Sequence, residues 1–315
     1  MAAEASVSQP RRILVIKHGA LGDFVQALGP AAAIRRHHPD ASITLLTTSP
    51  FVDLACRSPY FDEVWADNRP SLRNPMGLLR LRRQLRRGRF DRVYDLQTSA
   101  RSSLYFRLMG PGPRPEWSGI AAGASHPHVN PDRDRMHTLD RQREQLNVAG
   151  IDQVAAPSLD WIDMPDERFG LDGPAVLLVP GGSAHRPRKR WPVDRFAELA
   201  GGLVGKGLRP VILGSVQERP LAAAIVAAAP TSLDLTGRTD LMDIAALGRL
   251  AYRSIGNDTG PMHLVVAAGS PATVLYSDAS DPGITAPRGP DVIVLRREDL
   301  ADLTVAEVAA TLRLR

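Results

Sequence analysis

The sequence predicts an α/β protein with two similar halves, each a parallel sheet covered by helices on both faces. Three observations carry that expectation. Short runs of β-branched and leucine residues alternate with helix-length stretches along most of the chain. Two of those runs, Ile13-Leu-Val-Ile16 and Ala175-Val-Leu-Leu-Val179, lead into glycine turns, Lys17-His-Gly-Ala-Leu-Gly22 and Pro180-Gly-Gly-Ser183. The length, 315 residues, suits two domains.

The elements follow in order. After the Ile13–Ile16 strand, a helical stretch runs from about Asp23 to His38, interrupted or kinked at Pro30. Ser42 to Leu46 reads as a strand, Val52 to Arg57 as a short helix and Glu63 to Trp65 as a strand. Gly77 to Arg87 reads as a helix with Leu78, Leu81 and Leu85 on one stripe, and Asp91 to Leu96 returns as a strand. From Gly110 to Arg135, Pro, Gly and His displace the periodicity, which predicts a long loop. Regularity resumes after Pro157. Strands are expected at Ala175–Val179, Arg209–Leu213, Arg253–Gly256, Ala272–Tyr276 and Val292–Leu295. Helices fit at Asp194–Lys206, Arg219–Ala228, Leu241–Leu250 and Met262–Ala268, with a terminal helix at Thr304–Leu314. The boundary falls between residues 150 and 173, giving domains 1–160 and 161–315, with the terminal helix free to pack back on the first.

Composition narrows the class. Hydrophobic residues at 43% and charged residues at 23% exclude a wholly disordered chain. Aromatics at 5% leave the core to Leu, Val, Ile and Ala. A chain this long buries roughly three quarters of its unfolded surface and needs no staple. The single cysteine, Cys56, excludes an internal disulfide and a Cys-based zinc site, and reads as a small apolar residue. Of 39 basic residues only Lys17, Lys189 and Lys206 are lysine. That bias belongs to the whole chain, so the count of arginines says little, whereas the lysines stand out. Met1 to Gln9 lacks an apolar signal core, and the longest apolar run, Leu221 to Ala229, is too short to span a membrane. The expected location is therefore the cytoplasm. The histidines show no metal-ligand spacing, so no metal is expected.

Four strings can carry chemistry. In Lys17-His-Gly-Ala-Leu-Gly-Asp23, the glycines permit a tight turn or close approach of a ligand, and Asp23 sits where a helix N-cap would be. The string matches neither a dinucleotide fingerprint nor a Walker loop. After Pro180-Gly-Gly-Ser183 comes His185-Arg-Pro-Arg-Lys-Arg190, then Trp191-Pro192. That cationic run is either a solvated loop or a diphosphate site at a strand end. Gly256-Asn-Asp-Thr-Gly-Pro-Met-His263 places Thr259 as N-cap and Pro261 in the first turn. Backbone N–H groups near Gly260, Met262 and His263 would face an anion, and Asp258 would accept from sugar hydroxyls. Arg80 to Arg92 is a basic stretch that is either a solvated helix face or a surface for anionic lipid or an acidic acceptor. With no interleaved aromatics and no binding motif, nucleic acid is not an expected partner.

In their order and spacing these strings resemble glycosyltransferase family 9, the lipopolysaccharide heptosyltransferase family, over roughly residues 11–110 and 175–312. The marks are Leu21-Gly-Asp23, Tyr94-Asp-Leu-Gln97, Lys189-Arg-Trp-Pro192, Gly214 with Glu218, Asn257-Asp-Thr-Gly-Pro-Met-His263 and Asp281-Pro282. Gly19-Ala20 departs from the small hydroxyl residues of familiar members.

The resemblance implies a GT-B fold, two Rossmann-like domains with parallel sheets facing across a cleft. It implies a nucleotide-sugar donor, ADP-heptose foremost, in the C-terminal domain and a lipopolysaccharide core or related glycan acceptor in the N-terminal one. Asp23 would be the base that deprotonates the acceptor hydroxyl. Lys189 would hold the diphosphate with Thr259 and Gly260. Asp258 would contact the donor sugar, Glu218 the ribose and the Thr239 to Leu241 turn the adenine. His263 belongs to the same helix start, and Lys17 and Gly22 to the acceptor side or the turn. The implied reaction is inverting and metal-independent, with no cofactor, at the cytosolic face of the inner membrane. The alternatives are another GT-B activity such as a sugar-nucleotide epimerase, or a silent nucleotide-sugar or lipopolysaccharide binder.

Overall fold

The computed structural model describes residues 10–163, 169–171, 173–182 and 186–312. Ser183 and His185 of the predicted phosphate loop, and the last residues of the expected terminal helix, lie outside them. Two compact units emerge. One takes the chain up to Ala20 and Ala27–Ala155; the other takes Leu21–Gln26 and Ala156–Arg315.

The chain up to residue 155 runs β1 (Arg12–Ile16), α1 (Leu21–Gln26), α2 (Leu28–His37), β2 (Ser42–Thr47), α3 (Val52–Arg57), β3 (Glu63–Ala66), α4 (Pro75–Arg87), β4 (Arg92–Asp95), α5 (Ala100–Leu108), β5 (Glu116–Gly119), β6 (His126–Pro127) and α6 (Thr138–Val148). The six strands form one sheet in the order β3-β2-β1-β4-β5-β6, every pair parallel. Residues 13–16 of β1 are buried throughout, the pattern of a strand covered on both faces. Leu14, Ile16, Leu81, Leu85, Val93, Tyr105 and Trp117 share its core. The helical stretch expected from Asp23 to His38 is interrupted and forms two helices. Pro30 has no N–H for the Gln26 carbonyl and its ring crowds that carbonyl, so the break falls one turn before the proline, at Ala27. Asp23 consequently lies in the first turn of α1 rather than at an N-cap.

Residues 110–135 are not one loop: β5 and β6 lie within them and extend the sheet by two strands. Cys56 also departs from expectation. It projects from α3 as an exposed free thiol, while Leu54 and Ala55 supply that helix's buried face.

The second unit runs β7 (Ala175–Val179), α7 (Val193–Val204), β8 (Arg209–Ile212), α8 (Arg219–Ala228), β9 (Leu233–Asp234), α9 (Leu241–Leu250), β10 (Arg253–Asn257), α10 (Gly260–Ala267), β11 (Ala272–Tyr276), α11 (Pro282–Thr285), β12 (Val292–Arg296) and α12 (Val305–Ala309). Its sheet is again all parallel, ordered β12-β11-β10-β7-β8-β9. α12 packs on α7, and Val308 and Leu312 join Trp191, Phe196 and Ile255 in this unit's core.

Both sheets share one topology. Renumbered within each unit, the strand order is 3-2-1-4-5-6 in each, the doubly wound order of nucleotide-binding domains. The direction of winding reverses between β1 and β4 in the first unit and between β7 and β10 in the second. Ligands of such sheets bind outside the carboxyl ends of the strands at that reversal. The motif strings occupy those places: Lys17-His18 follows β1, Asp95-Leu-Gln97 closes β4, Pro180-Gly-Gly182 follows β7 and Asn257-Asp258 closes β10.

Candidate active site

The second unit's reversal point is organised by Asn257, which is fully buried at the end of β10. Its Nδ2 donates to the carbonyls of Pro180 (2.8 Å) and Gly181 (3.1 Å). Its Oδ1 accepts the Trp191 N–H at 2.9 Å. One amide thus joins the β7 turn, the basic loop and the end of β10. Trp191 is the loop's anchor: its indole N–H donates to the Leu303 carbonyl at 2.9 Å and its ring meets Phe196 edge-on at 4.9 Å. With Trp191 held down, Lys189 two residues earlier is aimed at the strand end.

There the Lys189 ammonium donates to Asp258 Oδ2 at 2.5 Å, with side-chain exposures of 12% and 8%. The same oxygen accepts the Ser280 hydroxyl at 2.7 Å. Burial pushes the Asp258 carboxyl up, but the bonds from Lys189 and Ser280 outweigh it and hold it below the ordinary carboxylate range. The Tyr276 hydroxyl nearby is pushed up by burial and by the Asp258 charge. It is buried beside that carboxylate. An ammonium has three protons, so Lys189 can serve Asp258 and an anion together.

Helix α10 begins beside this pair. Thr259 occupies the N-cap position, but its side chain does not cap, a departure from the expected role. The Met262 N–H is also not free, since it donates to the Thr259 carbonyl at 3.1 Å. What the helix start offers a ligand is the Thr259 hydroxyl and the Gly260 N–H, which have no protein partner among the described residues. The helix dipole adds positive potential at the same end.

Glu218 stands on the turn after β8. Its Oε2 accepts the Ser215 N–H at 2.6 Å in a capping box. Its other oxygen lies so close over Gly181 that a Cβ there would meet it at 2.0 Å. The carboxylate is therefore carried to the β7 turn that Asn257 fixes. No hydrogen bond links Thr239 or Leu241 to these groups among the described residues. They follow Gly237, whose N–H donates to the Gly214 carbonyl at 2.8 Å on the Glu218 turn. The Thr239 hydroxyl is buried without a partner among the described residues, and Asp240 caps α9 ahead of Leu241.

Gly22 and His263 meet where α1 packs along α10. A Cβ on Gly22 would lie 2.7 Å from the His263 ring, and one on Gly260 would lie 2.7 Å from Leu21 Cβ. The Asp23 carboxylate, half-buried, has no hydrogen-bond or ion-pair partner among the described residues.

The first unit has its own polar cluster at its reversal point. Lys17, buried, donates to the Leu96 carbonyl at 3.2 Å. His18 Nε2 lies 2.8 Å from Asp67 Oδ2, which also accepts the Tyr105 hydroxyl. The His18 N–H donates to Gln97 Oε1 at 2.9 Å. Burial pushes the Asp95 carboxyl up to about 6 despite bonds from Ser102, Thr98 and Gln97. Asp67, by contrast, is held below the ordinary range because its bonds from His18 and Tyr105 outweigh burial.

Sequence reasoning named the site's charged residues and missed their supports, Ser280, Tyr276, Gln26, Asp67 and Tyr105. Asn257 was visible inside its motif, but not its joining role. Among the described residues no cluster of three His, Cys, Asp or Glu side chains is placed to hold a metal.

Comparison with known proteins bears on this arrangement. The family profile of glycosyltransferase family 9 (heptosyltransferase) matches residues 78–307, more than half of the chain. Lipopolysaccharide heptosyltransferase 2 of Escherichia coli (strain K12) is 26% identical over 321 residues, covering 90% of this chain and 88% of the relative. The solved structure of E. coli ADP-heptose lps heptosyltransferase II superposes with a TM-score of 0.78 at 23% identity, over 96% of this chain and 97% of that one. A family 9 glycosyl transferase from Veillonella parvula DSM 2008 gives a TM-score of 0.83 at 22% identity, over 96% and 95%. At these identities the two structures establish the fold.

Proposed function

Since the chain belongs to glycosyltransferase family 9 (heptosyltransferase) and is a glycosyltransferase, we propose that it moves heptose from ADP-heptose onto a lipopolysaccharide core acceptor, with inversion and without a metal. The observation that carries this reading is the strand end of β10. A lysine–aspartate pair lies there beside a helix start with unused donors, and α1, which bears Asp23, packs along that same helix. The second unit takes the donor and the first the acceptor.

Lys189, the Thr259 hydroxyl and the Gly260 N–H hold the diphosphate. Asp258 takes hydroxyls of the donor sugar and also fixes Lys189. Glu218 takes the ribose, and the Thr239 to Leu241 turn lies against adenine. Lys17 and Gly22 belong to the acceptor side and the turn. In the reaction Asp23 accepts the proton of the acceptor hydroxyl as that oxygen bonds to the anomeric carbon. The bond from that carbon to the β-phosphate oxygen breaks and ADP leaves with the electron pair. Lys189 and the helix start stabilise the growing negative charge. A single displacement inverts the anomeric centre. The match over residues 78–307 favours transfer over an epimerase or a silent binder.

No helix among the described residues is long and apolar enough to cross a membrane. On a lipid-linked acceptor the chain works as a cytoplasmic protein at the membrane surface, and α4 suits that contact. Arg80, Arg83 and Arg87 are exposed on the face opposite buried Leu81 and Leu85, next to exposed Met76 and Leu79. Arg82 and Arg86 instead bond the carbonyls of Gly110 and Pro111.

The test is calorimetric titration of ADP-heptose, ADP, UDP-sugars and GDP-sugars with EDTA present, followed by a transfer assay with heptose-free core. Tightest binding of ADP-heptose and transfer in EDTA are expected. Preference for a UDP- or GDP-sugar would overturn the donor, and loss of transfer in EDTA would overturn metal independence.

A further inference from the structure

Two motifs far apart in sequence, Leu21-Gly-Asp23 and Gly260-Pro-Met-His263, form one interlocking seam. Leu21 fills the space over Gly260, and the His263 ring fills the space over Gly22. Side chains therefore stand opposite glycines in both directions, which lets α1 approach α10 closely. Beyond these pairs, Gln26 closes the far end of the short helix. Its Nε2 reaches His263 Nδ1 at 3.4 Å and donates to the Thr285 carbonyl at 3.2 Å. Gln26 is 2% exposed and His263 6%. A six-residue helix has no stability of its own, so the direction in which it presents Asp23 depends on this packing.

We propose that His263 and Gln26 are positioning residues for Asp23. They lock α1 against α10, and so hold the base at a fixed offset from the helix start that takes the diphosphate. The inference rests on Asp23 being the base, and it moves His263 from the donor contacts to the scaffold of that base. It also gives Gly22 a reason: any side chain there wedges the two helices apart.

The experiment compares wild type with Gly22→Ala, His263→Ala, the double variant and Gln26→Ala. For each, circular dichroism, ADP affinity by calorimetry and the pH dependence of kcat for heptose transfer are measured. A displacement of about 1 Å at the reacting groups costs on the order of 100-fold. Gly22→Ala and His263→Ala should therefore each lower kcat by roughly 10- to 100-fold, with ADP affinity within about 2-fold of wild type. Because both act on one contact, the double variant should lose no more than the worse single one. The shape of the kcat profile against pH should match wild type in all of them, since the base itself is still present. Gln26→Ala, which leaves the ring and glycine in place, should give a smaller loss of the same kind. Losses that multiply in the double variant would overturn the proposal. So would a fall in ADP affinity that matches the fall in kcat for His263→Ala, which would make the histidine a donor ligand. Should wild type fail to transfer heptose, the base reading falls and takes this inference with it.

Discussion

Replacing Lys189 with methionine keeps the length of the side chain and removes its charge, which leaves Asp258 as a carboxylate with 8% side-chain exposure and no cation on it, facing the Ser280 and Tyr276 hydroxyls. Breaking a buried pair from one side costs about 3–5 kcal/mol. The retained Ser280 bond and partial exposure place this site at the lower end, about 3 kcal/mol. In a unit of this size that lowers Tm by roughly 6–12 °C. The Lys189→Met/Asp258→Asn double variant removes both charges, and should return to within about 1 kcal/mol of wild-type stability. Donor binding follows a different rule. A hydrogen bond to a charged group contributes about 1.5–3 kcal/mol, so ADP affinity should fall by roughly 10- to 100-fold in the single variant and stay low in the double one. Thermal unfolding and calorimetric titration of ADP read the two effects separately. Recovery of both in the double variant would refute a diphosphate role for Lys189. An unchanged Tm in the single variant would refute the structural worth of the pair.

Further predictions concern the scaffold, pH and the membrane. Asn257→Ala strands the Trp191 N–H and two carbonyls; at about 1–3 kcal/mol per unsatisfied group, it should lower Tm more than Lys189→Met and weaken ADP binding, as differential scanning fluorimetry and calorimetry would show. His38 is held neutral to about 4 by burial and then by the charges of His37 and Arg92. Its unfolded form therefore takes up a proton first, and stability of the first unit should fall as pH drops from about 6.5 towards 4. Denaturation of His38→Gln should lack that slope. The Asp258 pKa is also lowered, which for an acid is stabilising: its contribution is present above the unfolded carboxylate pKa and is lost as pH falls through the lower folded value. Urea titrations of Asp258→Asn and wild type should converge at acid pH. Liposome binding should be steeply salt-dependent on anionic vesicles and lost on replacing Arg80, Arg83 and Arg87; indifference to salt would remove α4 from the membrane surface.

Apart from β5, β6 and the two-residue β9, the strands of both sheets were legible because buried parallel strands are short continuous runs of Val, Ile and Leu, as at Ile13–Ile16 and Ala175–Val179. α3, α8 and α9 matched in full, their apolar periodicity being unmixed with loop residues. β5 and β6 were not legible. Glu116-Trp-Ser-Gly119 has two apolar groups at most, and His126-Pro127 is too short to carry a pattern, so only the pairing of β5 with β4 and of β6 with β5 makes them strands. α5 and α6 escaped because their caps are Ser99 with Ser102 and His137, outside the common signature of a capping box ending in Glu or Gln. In the site, Lys189, Asp258 and Glu218 announce themselves as charges beside glycine turns. Their supports do not, since Ser280 reaches Asp258 and Gln26 reaches His263 only after the chain has folded. Thr259 shows the limit of position alone: it stands at the N-cap, yet its hydroxyl is left for something else.

The central claim is that Asp23 removes the acceptor proton while the second unit holds the donor. Its most direct test measures single-turnover heptose transfer and ADP-heptose affinity in Asp23→Asn, with the fold checked by circular dichroism. Transfer should fall by about 100- to 10,000-fold, the range for loss of a general base, while affinity stays within about 2-fold. An Asp23→Asn protein that transfers heptose at the wild-type rate, or that loses donor binding in step with transfer, would contradict the account.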